Sequence, residues 1–354
     1  MEPLLVEIEG DAFDRGRQYG ASTRSAIRHN VDDYLRLLEF HAGLSRHAAL
    51  DAARSFEPIL AAHTPDLWDE MQGIAEGAGC DPVEVLLLNS RSELMRKMGE
   101  CTALAASPTV TQRGQVLLGQ NWDWYTAVEM DPLLLRIRQP GKPEILTLVE
   151  AGQVAKIGLN SAGLGVCLNF LEHADQGMGV PVHVILRQML NCAHLGEAIR
   201  EAYRLPRGGA ANILLGHAAG EVLDLELTAT DADFLYADQG WLVHANHFES
   251  VRLRAGDQGI LTSQSTLARA ARARRLLAAA AAQAAVSLET YYAILTDHAH
   301  GHYAICRHLS SSEPPLQQTA TRASVVMDLT ARTMRVAIGQ PCQQPYHTIA
   351  CSSS

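Results

Sequence analysis

Cys101 stands at the head of an apolar run, Cys101-Thr102-Ala103-Leu104-Ala105-Ala106, and a turn signal, Gln112-Arg113-Gly114-Gln115, follows it. A second strand-like run then leads into Gly119-Gln120-Asn121-Trp122-Asp123. The pattern predicts a β-hairpin with a thiol on one arm and an amide and a carboxylate on the other. Peptide cleavage just before Cys101 would give that residue a free α-amine. An α-amine titrates at roughly 7.7 to 8.0, close to the value wanted in a base working near neutrality. One residue would then carry both nucleophile and base, and no separate histidine would be needed.

Further blocks accompany the hairpin. They are Glu150-Ala151-Gly152, Lys156-Ile157-Gly158-Leu159-Asn160-Ser161-Ala162-Gly163, Gly179-Val180-Pro181-Val182-His183, His244-Ala245-Asn246-His247 and Ile305-Cys306-Arg307. In this order and spacing the set resembles the acyl-coenzyme A:isopenicillin N (6-aminopenicillanic acid) acyltransferases, a family of N-terminal nucleophile (Ntn) hydrolases. The upstream hundred residues match more loosely, chiefly in Phe13-Asp14-Arg15-Gly16-Arg17-Gln18-Tyr19-Gly20.

The resemblance implies that Cys101 attacks the carbonyl of Glu100, an N-to-S acyl shift whose thioester hydrolyses to leave chains 1–100 and 101–354. The family more usually has Gly before the cysteine. Here Gly99-Glu100 stands there, and a φ-positive junction suits Gly better than Glu, so slow cleavage is expected. The resemblance also gives Asn246 a part in the oxyanion hole and places Asp123 beside the nucleophile, where it would orient the α-amine. It makes Arg307 a functional arginine that could pair with Asp123 or a substrate carboxylate, and puts a hydroxyl residue, Thr228, near the site. Trp122, His183 and His244 fall at motif positions that would shape the pocket. Each has a plainer reading: a buried small thiol, a turn-capping carboxylate, a loop amide, a surface arginine.

Composition narrows the setting. The chain has 354 residues, 47% hydrophobic, ample for a full core. Its net charge is 29 − 39 = −10, which argues against nucleic acid or anionic membrane as the main partner. Seven cysteines, an odd count without paired short spacing, read as reduced thiols. The N-terminus lacks a signal-peptide pattern, and no apolar run approaches the ~18 residues of a membrane helix, so a cytoplasmic protein is expected. His298, His300 and His302 alternate and on a strand would share a face. No nearby Cys or Glu completes a metal set, and neither metal nor cofactor is expected. Acyl-coenzyme A stays open as a substrate. Arg269, Arg272, Arg274 and Arg275 on an Ala-rich helix read as its solvated face.

Periodicity predicts a mostly helical segment over residues 1–100, with helices over 21–40, 66–75 and 83–94. After Cys101 come strands over 116–118, 133–138, 145–149 and 165–168, helices over 182–192 and 195–203, and strands over 211–215, 222–227 and 241–244. A helix over 266–285 and a hairpin turning at Ala331-Arg332 close the chain. Strands, helices and strands again suggest an α+β fold of stacked antiparallel sheets, and the resemblance selects the four-layer αββα sandwich. Segments 1–100 and 101–354 would form one globular unit and stay associated after cleavage.

Three functions fit. In the first, Cys101 cleaves a small-molecule amide or thioester and passes the acyl group to water or an amine. In the second, Cys101 stays internal and His244, His247 or His298 is the base. In the third, a processing-dead homologue keeps the pocket as a binding or scaffold protein.

Overall fold

Two β-sheets lie face to face in the computed structural model, which describes residues 2–95, 99–130, 132–263 and 265–351. The chain begins with strand β1 (Leu5–Glu9) and helices α1 (Ala12–Ser22), α2 (Arg24–Ala42), α3 (Arg46–Arg54), α4 (Glu57–His63), α5 (Pro65–Ala78) and α6 (Pro82–Met95). Strands β2 (Cys101–Ala106), β3 (Leu117–Tyr125), β4 (Leu133–Arg138), β5 (Ile145–Val149), β6 (Ile157–Asn160) and β7 (Leu164–Phe170) follow. Helices α7 (Val182–Leu190) and α8 (Leu195–Arg204) lead to β8 (Ala211–His217), β9 (Val222–Leu227), β10 (Ala232–Tyr236) and β11 (Trp241–His244). Helices α9 (Gly259–Thr262), α10 (Ser265–Ala281) and α11 (Leu288–Leu295) precede β12 (Thr319–Asp328), β13 (Thr333–Ile338) and β14 (His347–Ala350).

The larger sheet runs β1-β4-β5-β6-β7-β8-β9-β10 and the smaller β11-β2-β3-β12-β13-β14. Their inner faces pack with β2 and β3 against β7 and β8. Because both faces of β2 and β3 are covered, every residue of these strands is buried and they read as near-continuous apolar runs. Helices α10 and α11 cover the outer face of the smaller sheet through Ala273, Leu277, Tyr291 and Ile294 against Leu104, Leu117 and Val326. On the other side α6 and α7 join the main core with β5, β6 and β7. The order is helix, sheet, sheet, helix, as expected.

The N-terminal segment is less purely helical than the sequence suggests. Its β1 adds a parallel edge strand to β4, Leu5 opposite Leu134 and Glu9 opposite Arg138. Edge strands β10 and β14 and helices α3 and α4 also escape the periodicity, because they are short and half exposed. The helix expected over 266–285 ends at Ala281, before Ala284 turns to φ +47°. No helix among the described residues is long and apolar enough to cross a membrane.

The Phe13-to-Gly20 block earns its glycines in a helix crossing. A Cβ at Gly16 or Gly20 of α1 would lie 2.0 Å from a backbone oxygen of α5, and one at Gly73 or Gly77 of α5 would lie 2.2 Å from α1. The bare faces let buried charges meet beside the crossing. Arg15 of α1 and Arg187 of α7 both bind Glu70 of α5, each at 2.8 Å.

Overpacking a core costs about 1 to 3 kcal/mol, and a clash with backbone rather than a pliable side chain puts Gly73→Ala at the top of that range. Denaturant unfolding of Gly73→Ala should show this loss, whereas Gly196→Ala, with open space at the new methyl, should unfold as wild type or slightly later. Equal midpoints for Gly73→Ala and wild type would refute the close crossing.

Candidate active site

Antiparallel pairing sets Cys101 opposite Trp122 at the start of β2. The peptide bond before Cys101 is gripped on both sides. Cys101 N donates to Asn246 Oδ1 at 2.7 Å, and the Glu100 carbonyl accepts from the Asp123 backbone N–H at 2.8 Å. That N–H therefore points at the oxygen that would become an oxyanion if Cys101 attacked its own preceding carbonyl. Asn246 is fixed in turn: its Nδ2 donates to Phe170 O at 2.9 Å and its N to Thr266 Oγ1 at 2.7 Å. It thus presents its carbonyl to Cys101, not the donor expected of an oxyanion hole.

The φ-positive junction expected at Glu100 does not occur. Among the described residues, the non-glycines with positive φ are Ala284, His300 and Arg332. The close approach falls one residue earlier, where a Cβ at Gly99 would lie 2.3 Å from Asp123 O.

Glu100 is instead held by its side chain. Its carboxylate accepts from Ser265 Oγ at 2.5 Å, Arg307 Nη2 at 2.6 Å and Arg269 Nη2 at 2.9 Å, and from Ser263 Oγ. Burial raises its pKa, but Arg269 and Arg307 outweigh that and hold it at about 2.

Arg269 corrects the reading of α10 as carrying a solvated arginine face. It is fully buried on the stripe formed by Thr266, Ala270, Ala273 and Leu277, and its Nη1 also donates to Cys101 O at 2.5 Å and Thr102 Oγ1 at 2.9 Å. The available signal was register: position 269 shares the stripe that packs inward. Arg272 and Arg274, half-buried, pair with Asp297 and Glu249.

Strand alternation sends the thiol the other way, between the sheets. Cys101 shares that face with Gln120 and Trp122, and Gln120 bonds Leu168 of the facing sheet. Burial and then Asp123 push the thiol up to about 11, with Lys156 and Gln120 pulling only partly against them. Lys156 Nζ lies 3.1 Å from the Trp122 ring centroid and 3.3 Å from Glu150 Oε2. Burial brings Lys156 down to about 7. Glu150 does not prevent this, because Arg91 already neutralises it: Arg91 bonds Glu150 while stacking 4.2 Å from Trp124. A titratable amine thus sits beside Trp122, the cross-strand neighbour of Cys101. Nothing in the motif pattern marks a role for Lys156, although a lone lysine in Val154-Ala155-Lys156-Ile157 is a visible signal of a buried charge.

The remaining expected residues divide. Arg307 reaches Glu100 and Thr319. The Asp123 carboxylate accepts from Thr321 Oγ1 at 2.6 Å, and burial raises it to about 6 against Arg307 and Arg269; the backbone of Asp123, not this carboxylate, bonds the Glu100–Cys101 junction. Thr228 is not brought to the site. Its hydroxyl donates to Asp175 at 2.6 Å and closes the turn at Asp231, and Ser263 and Ser265 supply the local hydroxyls. His183 is buried among Ser92, Ala155 and the Arg91–Lys156 charges and is held neutral, well below its ordinary pKa, by burial and those cations. Burial lowers His244, but Asp224 and Glu226 overcome it and raise the ring to about 9. Its 2.7 Å bond to Glu226 anchors the segment that carries Asn246. A cavity of about 450 Å³ lined by Phe40, His41, Tyr125, Ser263 and Arg307 opens onto Glu100.

Of the three alternating histidines, His302 pairs with Glu313 at 3.1 Å and His300 sits at φ +78° in a turn, so they share no strand face. His298 joins Cys306, His308 and Cys342 instead. The expectation that no cysteine stood near it is overturned by the turn that folds Cys306 back and by Cys342 arriving from β13.

The family described as acyl-coenzyme A:6-aminopenicillanic acid acyl-transferase matches residues 110–343, a span that starts downstream of Cys101. The acyl-coenzyme A:6-aminopenicillanic-acid-acyltransferase 40 kDa form of Emericella nidulans is 31% identical over 253 residues, 69% of this chain and 69% of that protein. Protein dcd1A of Dictyostelium discoideum is 24% identical over 237 residues, 56% of this chain and 51% of its own. In structure, a variant of conjugated bile acid hydrolase from Clostridium perfringens superposes with a TM-score of 0.50 at 14% identity, over 72% of this chain and 98% of that one; the likeness is one of fold. Sequence blocks, layered sheets and these matches agree: the chain belongs to the acyl-coenzyme A:6-aminopenicillanic acid acyltransferase family, on the Ntn-hydrolase fold.

Proposed function

We propose that this chain is a self-cleaving enzyme that cuts a small-molecule amide or thioester through a Cys101 thioester and hands the acyl group to water or an amine. The observation that carries the reading is the two-sided grip on the Glu100–Cys101 peptide, with the thiol at its C-terminal residue. In maturation, neutral Lys156 takes the thiol proton and the sulfur attacks the Glu100 carbonyl carbon. The Asp123 N–H stabilises the oxyanion, a contribution of the order of 2.7 to 4 kcal/mol for such a donor. The C–N bond breaks, the departing nitrogen takes a proton to become the Cys101 α-amine, and water hydrolyses the thioester.

In the mature enzyme the α-amine takes the thiol proton, with Asn246 Oδ1 orienting it. The Asp123 N–H, relieved of Glu100, serves the substrate oxyanion. Arg269, Arg307, Ser263 and Ser265 hold a carboxylate before cleavage, and this cradle suits a substrate that carries one once the new chain end withdraws. The choice between hydrolysis and acyl transfer rests on how well the pocket excludes water. A Cys-His mechanism has less support, since the rings of His244, His247 and His298 bond Glu226, Thr266 and His308.

Intact mass spectrometry should give two chains, 1–100 and 101–354, for wild type and one chain for Cys101→Ala. The same cut in both proteins, or a cut elsewhere, would refute self-cleavage. The processing-dead reading predicts one chain in wild type and no acylation by amide substrates.

Lys156 at about 7 is protonated below that pH and can accept the thiol proton only above it. Precursor cleavage should therefore speed up as pH rises through 7, and Lys156→Met should slow it by about 10²- to 10⁴-fold. Cleavage by Lys156→Met at the wild-type rate with an unchanged pH profile would remove Lys156 from the mechanism.

A further inference from the structure

We infer that His298, Cys306, His308 and Cys342 form a structural zinc site that pins the segment carrying Arg307. Their ligand atoms all lie within 4.8 Å of one another. His298 Nε2 and His308 Nε2 are 3.1 Å apart, His308 Nε2 and Cys342 Sγ 3.2 Å, Cys306 Sγ and Cys342 Sγ 3.6 Å, and Cys306 Sγ and His308 Nε2 3.8 Å. With Zn–S near 2.3 Å and Zn–N near 2.0 to 2.1 Å, a tetrahedron has edges of about 3.8 Å between sulfurs, 3.5 Å between sulfur and nitrogen and 3.3 Å between nitrogens. Four of the six separations fall within a few tenths of an ångström of these edges, and the two between His298 and the sulfurs stay within 4.8 Å. A disulfide needs its sulfurs at about 2.05 Å, well inside the separation found.

The donor set selects the ion. Two thiolates and two imidazoles in a tetrahedral arrangement suit zinc, whereas magnesium and calcium need oxygen donors. Four protein ligands leave no open position, so the ion binds no substrate and serves to hold structure. Each thiol gives up its proton on binding, which makes loading weaker as pH falls.

The site joins otherwise separate pieces. His298 follows α11, Cys306 and His308 lie in the connection between α11 and β12, and Cys342 sits in the turn between β13 and β14. Arg307 lies between the two central ligands and its side chain goes the opposite way, to Glu100 at 2.6 Å. Its backbone N and O both bond Thr321 of β12. Held at the residues on either side of Arg307, the metal fixes the direction in which Arg307 grips the residue before the nucleophile. This last coupling rests on the maturation reading; the metal site itself does not.

The test uses untagged full-length protein expressed with zinc and dialysed free of excess metal. Elemental analysis should find about one zinc per chain in wild type and almost none in Cys342→Ser, whose exposed turn position leaves the fold intact by circular dichroism. Cobalt-substituted wild type should show the absorption of tetrahedral thiolate-bound cobalt, and Cys342→Ser and His308→Ala should lose it. The loss of affinity should exceed the roughly 10- to 100-fold that accompanies loss of an outer-shell partner. Chelation should lower the melting temperature of wild type and leave that of Cys342→Ser unchanged. Zinc-free wild type, a wild-type mass two hydrogens light from a Cys306–Cys342 disulfide, or equal zinc in Cys342→Ser would overturn the site. If zinc binds as expected while wild type stays one chain, the metal stands and the maturation reading falls.

Discussion

Alternation of side chains along β2 governs the arrangement of the site. Successive residues of an extended chain face opposite sides, and Glu100, immediately before β2, and Cys101, its first residue, serve different environments. Glu100 points outward to Arg269 and Arg307 beneath α10, and Cys101 points inward toward Trp122 and the facing sheet. The peptide bond between them is held by a backbone bond on one side and a side chain on the other, its carbonyl on the Asp123 N–H and its nitrogen on Asn246 Oδ1. A one-residue slip in the β2–β3 register would exchange the two faces, putting the carboxylate among apolar groups and the thiol among arginines.

Buried charges then fix what surrounds that strand. Glu70 bridges Arg15 and Arg187, tying α1 and α5 of the N-terminal segment to α7, and Glu150 gathers Arg91, Lys156 and the Tyr34 hydroxyl. Replacing such groups by apolar ones can be neutral, but removing one partner leaves an uncompensated buried charge, at a cost of about 3 to 5 kcal/mol. Both networks cross from residues 1–100 to the later segment and tie the two into one packed unit. The second also leaves a chemical consequence. With Glu150 satisfied by Arg91, burial dominates at Lys156 and frees its proton near neutrality.

The histidines illustrate how tertiary partners decide role. Three of them sit in or beside the blocks that carry the resemblance, yet their rings meet different fates: His183 neutral under burial and nearby cations, His244 charged between Asp224 and Glu226, His247 bonded to Thr266. None is hydrogen-bonded to Cys101 among the described contacts. The proposed mechanism accordingly gives proton transfer to amines, the lysine before cleavage and the terminus after it.

Legible in the residues alone were the hairpin, the helical upstream segment, the αββα layering through resemblance, and the convergence of Cys101, Arg307 and Asn246. These follow from short-range pattern, because period, turn residues and motif order are written locally. The sequence did not reveal Arg269 or Lys156, gave no sign that the Thr228 hydroxyl bonds Asp175, misplaced the strain at Glu100, and missed the company His298 keeps. Each of those depends on which distant residue arrives: Glu100 at Arg269 across more than a hundred residues, Cys342 at Cys306 from another hairpin. A charged side chain has the same local signature whether it meets solvent or a buried counter-charge, and only the packing of sheets and helices supplies the partner that decides.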